Sequence, residues 1–226
     1  MTDQANDEKR RVARAALAEL PDAGIIGLGS GSTAELFIEE VGLLVRAGRK
    51  LVGVPTSQAS RALATRAGIP LLDDAGPWDI AVNVDGADEV DAALCLIKGG
   101  GAAHTREKIV NEAARVNVIV VDASKMSTRL GEKRAVPIEV LPFGHGATAL
   151  RLTAFGRAAL RMRGEEPLRT DAGNYLYDIT TGPVADVRGM DAALRGIPGV
   201  VETGLFVGRA HVVLVARGPN VERLVP

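Results

Sequence analysis

Cysteine is nearly missing from this chain: Cys95 is the only one among 226 residues. A single thiol cannot make an intrachain disulfide, which excludes a disulfide-stapled secreted scaffold and fits a reducing cytoplasm. Small and set in an apolar run, Cys95 reads as a core residue. Aromatics make up only 3%, too few for platforms on which nucleic-acid bases stack. A surplus of charge is missing as well. The 27 Lys and Arg residues face 28 Asp and Glu, leaving a net charge of −1. General nucleic-acid binding rests on excess positive charge, so that class is excluded. No apolar run approaches the length of a membrane span, and the N-terminal MTDQANDEKRR lacks the apolar core of a signal peptide. These absences point to a cytoplasmic protein with no membrane partner. The three histidines are scattered, and no His, Cys and carboxylate cluster has metal-ligand spacing. No metal and no other cofactor is expected.

What remains is 46% hydrophobic and 24% charged, the make-up of an ordinary globular protein. The length suits one large domain, or one large and one small. Apolar residues at helical spacing predict helices over residues 5–20, after Ser32-Thr33, over about 58–67, and over about 105–115. Strands are expected at 24–28, 51–54, 71–72, 80–84, 94–98 and 116–121. Strands alternating with helices predict a mostly parallel α/β sheet with helices on both faces. After Gly131 the rhythm changes. A strand at 136–140, a long helix over 147–162, a strand at 175–179, a helix at 190–196 and a strand at 200–207 suggest a smaller α+β domain. The last apolar strand, 211–215, returns to the first sheet. The division expected is therefore 1–130 with 204–226 for the large domain and 131–203 for the small one. No internal repeat or low-complexity tract is visible.

The chemistry concentrates in one stretch, DGADEVDAALCLIKGGGAAHTREK, from Asp85 to Lys108. Apolar runs lead into each of its polar clusters, so two strands end side by side in loops at one sheet edge, where open α/β sheets hold ligands. Asp85 and Asp88 flank a Gly-Ala turn, and such a turn alone needs no function. Lys98 runs into Gly99, Gly100 and Gly101, and Glu107 follows at a helix start, where the dipole favours a carboxylate in any case. Three successive glycines cost stability unless the backbone must approach something closely. Their joint presence with Lys98 and Glu107 is what raises a site. His104 sits in the same loop with no evident orienting partner, and no acid–base role is assigned to it.

GLGSGST, residues 27–33, lies between a strand and a helix, where N–H groups and the helix dipole favour an anion. It lacks the Lys of a Walker A loop and the third glycine of a dinucleotide fingerprint. A small phosphate suits the hydroxyls of Ser30, Ser32 and Thr33 better. A plain strand-to-helix turn with Ser or Thr capping is the bland alternative.

Taken together, GLGSGST (27–33), VDGADE (84–89), IKGGGAAHTREKI (97–109), DASK (122–125), TDAGN (170–174) and PGVVETGLF (198–206) resemble the type A ribose-5-phosphate isomerases. The match keeps its order to the end of the chain. The resemblance implies a metal-free aldose–ketose isomerase acting on a sugar-phosphate substrate. It also implies a Rossmann-like domain with a smaller ferredoxin-like one, and a homodimer, with a tetramer as the alternative. By position it makes Glu107 the proton-shuttling base and Asp85 and Asp88 the acidic pair handling hydroxyls and ring opening. Lys98 with Gly99, Gly100 and Gly101 would stabilise the enediolate. Ser30, Gly31, Ser32 and Thr33 would form the substrate loop, with Gly86 and Ala87 beside it and Lys125 and Lys9 near the phosphate. Ser30 departs from the Thr found in many members but keeps the hydroxyl. Two other classes compete: a CoA transferase or sugar-phosphate deaminase on a related fold, and a non-catalytic sugar-phosphate sensor.

Overall fold

A computed structural model describes residues 3–226 of the chain. It begins with α1 (Asp3–Ala15), β1 (Ala23–Leu28), α2 (Ser32–Arg46), β2 (Lys50–Pro55) and α3 (Gln58–Arg66). Next come β3 (Ile80–Asp85), the two-residue strands β4 (Glu89–Val90) and β5 (Leu96–Ile97), α4 (His104–Ala113) and β6 (Ala114–Asp122). The chain continues through β7 (Val136–Val140), α5 (His145–Leu152), β8 (Arg157–Leu160), β9 (Met162–Arg163), β10 (Glu166–Pro167) and β11 (Tyr175–Thr180). It closes with α6 (Val187–Arg195), β12 (Val200–Thr203), β13 (Leu205–Phe206), β14 (Val212–Arg217) and β15 (Asn220–Leu224). Two compact units result. The first takes in the chain up to Ala87, Arg106–Lys125 and Arg209–Pro226; the second is Asp88–Thr105 with Met126–Gly208. Residues 88–105, 126–130 and 204–208 thus group with 131–203.

The first unit is built on a six-stranded sheet in the order β15-β14-β6-β3-β1-β2. All neighbours are parallel except β15, which returns antiparallel to β14. On α2 the helical period places Ala34, Phe37, Ile38 and Val41 on one face, and all four are fully buried. Phe37, Ile38 and Val41 join Ile26 and Leu28 of β1, Val82 and Val84 of β3, and Val118 and Val120 of β6 in one core. Each large side chain so buried contributes about 1.5–3 kcal/mol. The hairpin strand β15 was not anticipated, because NVERL is polar at alternate places and reads as a tail. Leu71 makes only a single bridge to Gly53, so no strand forms at 71–72.

The second unit contains a four-stranded antiparallel sheet in the order β12-β7-β11-β8, with α5 and α6 inserted in the sequence β7-α5-β8-β11-α6-β12. This is the ferredoxin-like arrangement. The helix expected over 147–162 is a correction: α5 ends at Leu152, a short turn follows, and β8 takes the rest. Gly156 is the cause. Its φ of +148° leaves the helical region, and a Cβ there would meet the Thr180 carbonyl on β11. The Leu94–Lys98 strand is also smaller than expected. Only Leu96 and Ile97 pair, in an antiparallel sheet β13-β5-β4 and not in the parallel one. The Asp91 carboxylate accepts the Ala93 and Cys95 N–H groups and turns the chain, with Leu94 at φ 57°. The strand expected at 200–207 breaks at Gly204, whose N–H reaches Pro137 O at 2.7 Å. Cys95 is half-buried against the second unit's core, and burial pushes its thiol pKa upward. Among the described residues no helix is long and apolar enough to cross a membrane.

Candidate active site

In the first unit the carboxyl ends of β1, β3 and β6 lie along one edge of the sheet, where an open parallel sheet places its ligands. β1 delivers Gly29 and Ser30. The Gly29 N–H bonds Val84 O at 2.9 Å, which draws the glycine loop against the end of β3. Asp85 closes β3 and is 1% exposed. Its Oδ1 accepts the N–H groups of Ser30 at 3.0 Å and Gly86 at 2.8 Å, so the carboxylate is held by backbone dipoles. Gly29 must be glycine, since a Cβ there would lie 2.5 Å from the Asp85 Cα.

The Ser30 hydroxyl turns inward. It bonds Thr56 and Ser57 at 2.8 Å and Ser60 at 3.1 Å, and Ser60 in turn donates to Gly29 O at 2.7 Å. Ser57 also caps α3 through the Ser60 N–H. This hydroxyl cluster at the end of β2 escaped the sequence reading, although Thr56-Ser57 directly follows an apolar strand. Gly31 and Ser32 are exposed, Thr33 is half-buried, and Lys9 on α1 donates to the Ser32 hydroxyl at 2.8 Å. Lys125 ends the short turn after β6.

Glu107 stands in the first turn of α4 and is 4% exposed. The helix runs straight into β6, whose Ala114 pairs with Ile80 at the start of β3. One turn before that, Val110 lies over Gly27 near the end of β1. The first turn of α4 therefore points to the same carboxyl edge as Asp85. An amide chain supports it from below. Asn83 Nδ2 donates to Asn117 Oδ1 at 3.0 Å, and Asn117 Nδ2 donates to Asn111 O on α4 at 2.9 Å.

The second unit carries Asp88, Lys98 and the glycines. Lys98 is 4% exposed, its N–H bonds Gly204 O at 2.9 Å, and its ammonium sits 5.7 Å from the centre of the Phe206 ring. Gly99 has φ +108°, a conformation that glycine adopts at little cost and other residues rarely reach. The Gly100 N–H donates to Asp88 Oδ2 at 2.8 Å, so the second acidic residue and the glycine run are one construction. His104 is fully buried beside Gly99, with Nε2 3.3 Å from Glu202 O, which is a packing position. Glu89, the last residue of VDGADE, is buried too. It accepts the Gly131, Lys133 and Arg134 N–H groups and the Ser127 hydroxyl, so it ties down a loop.

TDAGN also finds its place. Thr170 Oγ1 and Asn174 Nδ2 each donate at 2.8 Å to Oε1 of Glu139, which is 1% exposed, and Thr105 at the start of α4 donates to Oε2. Arg161 bonds the Gly99 and Gly100 carbonyls. Neither Glu139 nor Arg161 belongs to a recognisable motif. Among the described residues no group of three His, Cys, Asp or Glu side chains could hold a metal ion.

The family model for ribose 5-phosphate isomerase A (phosphoriboisomerase A) matches residues 52–219. A ribose-5-phosphate isomerase A from Thermosynechococcus vestitus is 45% identical over 223 residues, covering 95% of this chain and 94% of the relative. One from Methanothermobacter thermautotrophicus is 43% identical, covering 96% of each. Among solved structures, the ribose 5-phosphate isomerase A of Methanocaldococcus jannaschii superposes with a TM-score of 0.92 at 38% identity, over 97% of this chain and 99% of that one. A D-ribose-5-phosphate isomerase in complex with phospho-erythronic acid gives a TM-score of 0.95 at 38% identity, over the whole of both chains.

Proposed function

The chain belongs to the ribose 5-phosphate isomerase A family, and from that premise we propose that it interconverts D-ribose 5-phosphate and D-ribulose 5-phosphate by proton transfer through a cis-enediolate, with Glu107 as the base. The observation that carries this reading is a carboxylate 4% exposed in the first turn of α4, at the sheet edge that also ends in Asp85. Isomerisation takes the C2 proton of the aldose and returns it to C1, while the O2 hydroxyl proton moves to O1. One carboxylate on one face of the enediolate performs both carbon transfers. Asp85 and Asp88 handle the oxygen-bound protons and the opening of the furanose ring. The Lys98 ammonium and the glycine N–H groups stabilise the charge on the oxygens as it develops. None of these steps calls for a metal or an organic cofactor.

Substrate retention falls to the phosphate. Ser32 and Thr33, the N–H groups of the loop at the start of α2, Lys9 and Lys125 supply its partners. The helix dipole and free N–H groups there favour an anion. The Ser30 hydroxyl, turned into the cluster with Thr56, Ser57 and Ser60, shapes the loop from beneath. The phospho-erythronic acid bound by the solved relative supports this reading, because it is a phosphorylated sugar acid. A homodimer in the cytoplasm is the assembly and location proposed.

Contacts to a phosphate remote from the reacting carbons act equally on ground and transition states. Lys125→Ala is therefore expected to raise KM more than it lowers kcat. Inorganic phosphate should compete with ribose 5-phosphate in the same steady-state assay. An unchanged KM would remove Lys125 from the phosphate site, and free ribose turning over as fast as its phosphate would remove the site altogether.

A further inference from the structure

The glycine run is held by a side chain far away in sequence. Arg161 follows β8 and is pinned by two backbone bonds, its N–H to Leu176 O at 2.8 Å and its carbonyl from the Leu168 N–H at 2.9 Å. Its Nε and Nη2 form a two-pronged pair with Asp178 of β11, with the Nε bond at 2.8 Å. The remaining nitrogen, Nη1, donates to Gly99 O at 2.8 Å and Gly100 O at 3.2 Å. One planar guanidinium therefore fills a carboxylate fork and two carbonyls at once, which an ammonium cannot do. The guanidinium is mostly buried, with side-chain exposure of 18%.

The same peptide group is gripped from its other end. The Gly99 carbonyl that receives Arg161 belongs to the amide whose N–H, on Gly100, donates to Asp88 Oδ2 at 2.8 Å. Cation, peptide and carboxylate thus lie in series. Hydrogen bonds in such a chain polarise one another, and charge-assisted ones are the strongest kind. A side chain on Gly100 would break the series, since its Cβ would lie 2.7 Å from Asp88 Oδ1.

We propose that Arg161, oriented by Asp178, is a positioning residue for the isomerisation: it fixes the Gly99–Gly101 peptides as donors and, through the Gly99–Gly100 amide, sets the direction of the Asp88 carboxylate. All three guanidinium nitrogens of Arg161 are engaged by Asp178 and the two carbonyls, so it acts through these groups. The inference rests on the isomerase reading above and adds to it a residue outside every motif that carries the resemblance. Misplacing reacting groups by about 1 Å costs on the order of 10²-fold. The loss falls on kcat, because the phosphate contacts that hold the sugar are untouched.

The test measures kcat and KM for ribose 5-phosphate in wild type, Arg161→Ala, Arg161→Lys, Asp178→Asn and the double variant Arg161→Ala with Asp178→Asn. Circular dichroism checks that each is folded. Arg161→Ala should lose roughly 10²-fold in kcat with KM changed by less than about 3-fold. Guanidinium ion at low millimolar concentration should restore part of that loss, which it would not do for a general folding defect. Arg161→Lys should stay folded and still lose most of the turnover. Asp178→Asn should lose less, and the double variant should be no worse than Arg161→Ala alone, as expected for groups acting as one unit. Normal kcat in Arg161→Lys, or a folded Arg161→Ala that guanidinium leaves unchanged, overturns the proposal. If the wild type itself fails to isomerise ribose 5-phosphate, the functional reading fails instead, so the two failures are distinct.

Discussion

Glu107→Gln should fold, bind a sugar phosphate and yet lose roughly 10²- to 10⁴-fold in turnover, the usual contribution of a positioned general base. The amide keeps the shape of the side chain in a place only 4% exposed, so packing around α4 is preserved. What disappears is the lone pair proposed to take the carbon-bound proton. The helix start also loses a favourable charge, a smaller effect of about 0.3–1 kcal/mol on stability. Glu112→Gln is the matching control. Glu112 lies on the same helix, its side chain is 72% exposed and it pairs with Arg209, so its turnover should stay normal. Steady-state kinetics gives the loss, and calorimetry with a sugar-phosphate inhibitor shows that binding survives. A folded Glu107→Gln with near-normal turnover would exclude this residue as the base and leave Asp85 as the next candidate.

Gly29→Ala is expected to damage both stability and chemistry. The added methyl would lie 2.5 Å from the Asp85 Cα, and that atom is backbone at the end of a buried central strand. Neither β1 nor β3 can give way without disturbing the parallel pairing of Leu28 with Val84. Overpacking of this kind costs about 1–3 kcal/mol. The displaced Asp85 would also leave its bonds to the Ser30 and Gly86 N–H groups. A shift on that scale in a reacting carboxylate lowers turnover by about 10²-fold. Urea denaturation and kcat measure the two effects. Gly146→Ala on α5, where the added methyl meets nothing within 4 Å, should leave turnover normal and stability unchanged or raised by up to about 1 kcal/mol. Equal behaviour of the two variants would contradict the tight junction of glycine loop and Asp85.

Glu107 and Asp85 also show how far the sequence could be read. Both stand in contiguous motifs, and helix faces such as Ala34, Phe37, Ile38 and Val41 announce themselves through a 3.6-residue period. The parallel strands were legible for the same reason, being apolar runs ended by Gly or Asp. Legibility stopped where structure depends on partners distant in sequence. RLTAFGRAALRM carries a helical pattern, and only the β11 backbone beside Gly156 makes the strand β8 win. The Leu94–Lys98 run looks like a central strand until the Asp91 turn shortens it. Arg161 lies 62 positions from the carbonyl it holds, with nothing local to mark it. Glu139 likewise sits in an alternating strand and gains its meaning only when Thr105, Thr170 and Asn174 converge on it. Ser30 shows a further limit: its motif suggests a phosphate ligand but gives no sign of the bonds its hydroxyl makes to Thr56, Ser57 and Ser60.

The central claim is proton transfer by a side chain, and it is tested most directly by running the reaction in heavy water with a metal chelator present. Ribose 5-phosphate is converted, recovered and analysed by NMR for deuterium at C1 of the ketose and C2 of the aldose. A carboxylate that carries the proton between carbons exchanges it with solvent during part of its turnovers, so both positions should acquire deuterium while activity remains full. A metal-assisted hydride shift moves the hydrogen with its electron pair from carbon to carbon and leaves both positions unlabelled. Unlabelled product, or activity abolished by the chelator and restored by one added cation, would contradict the account.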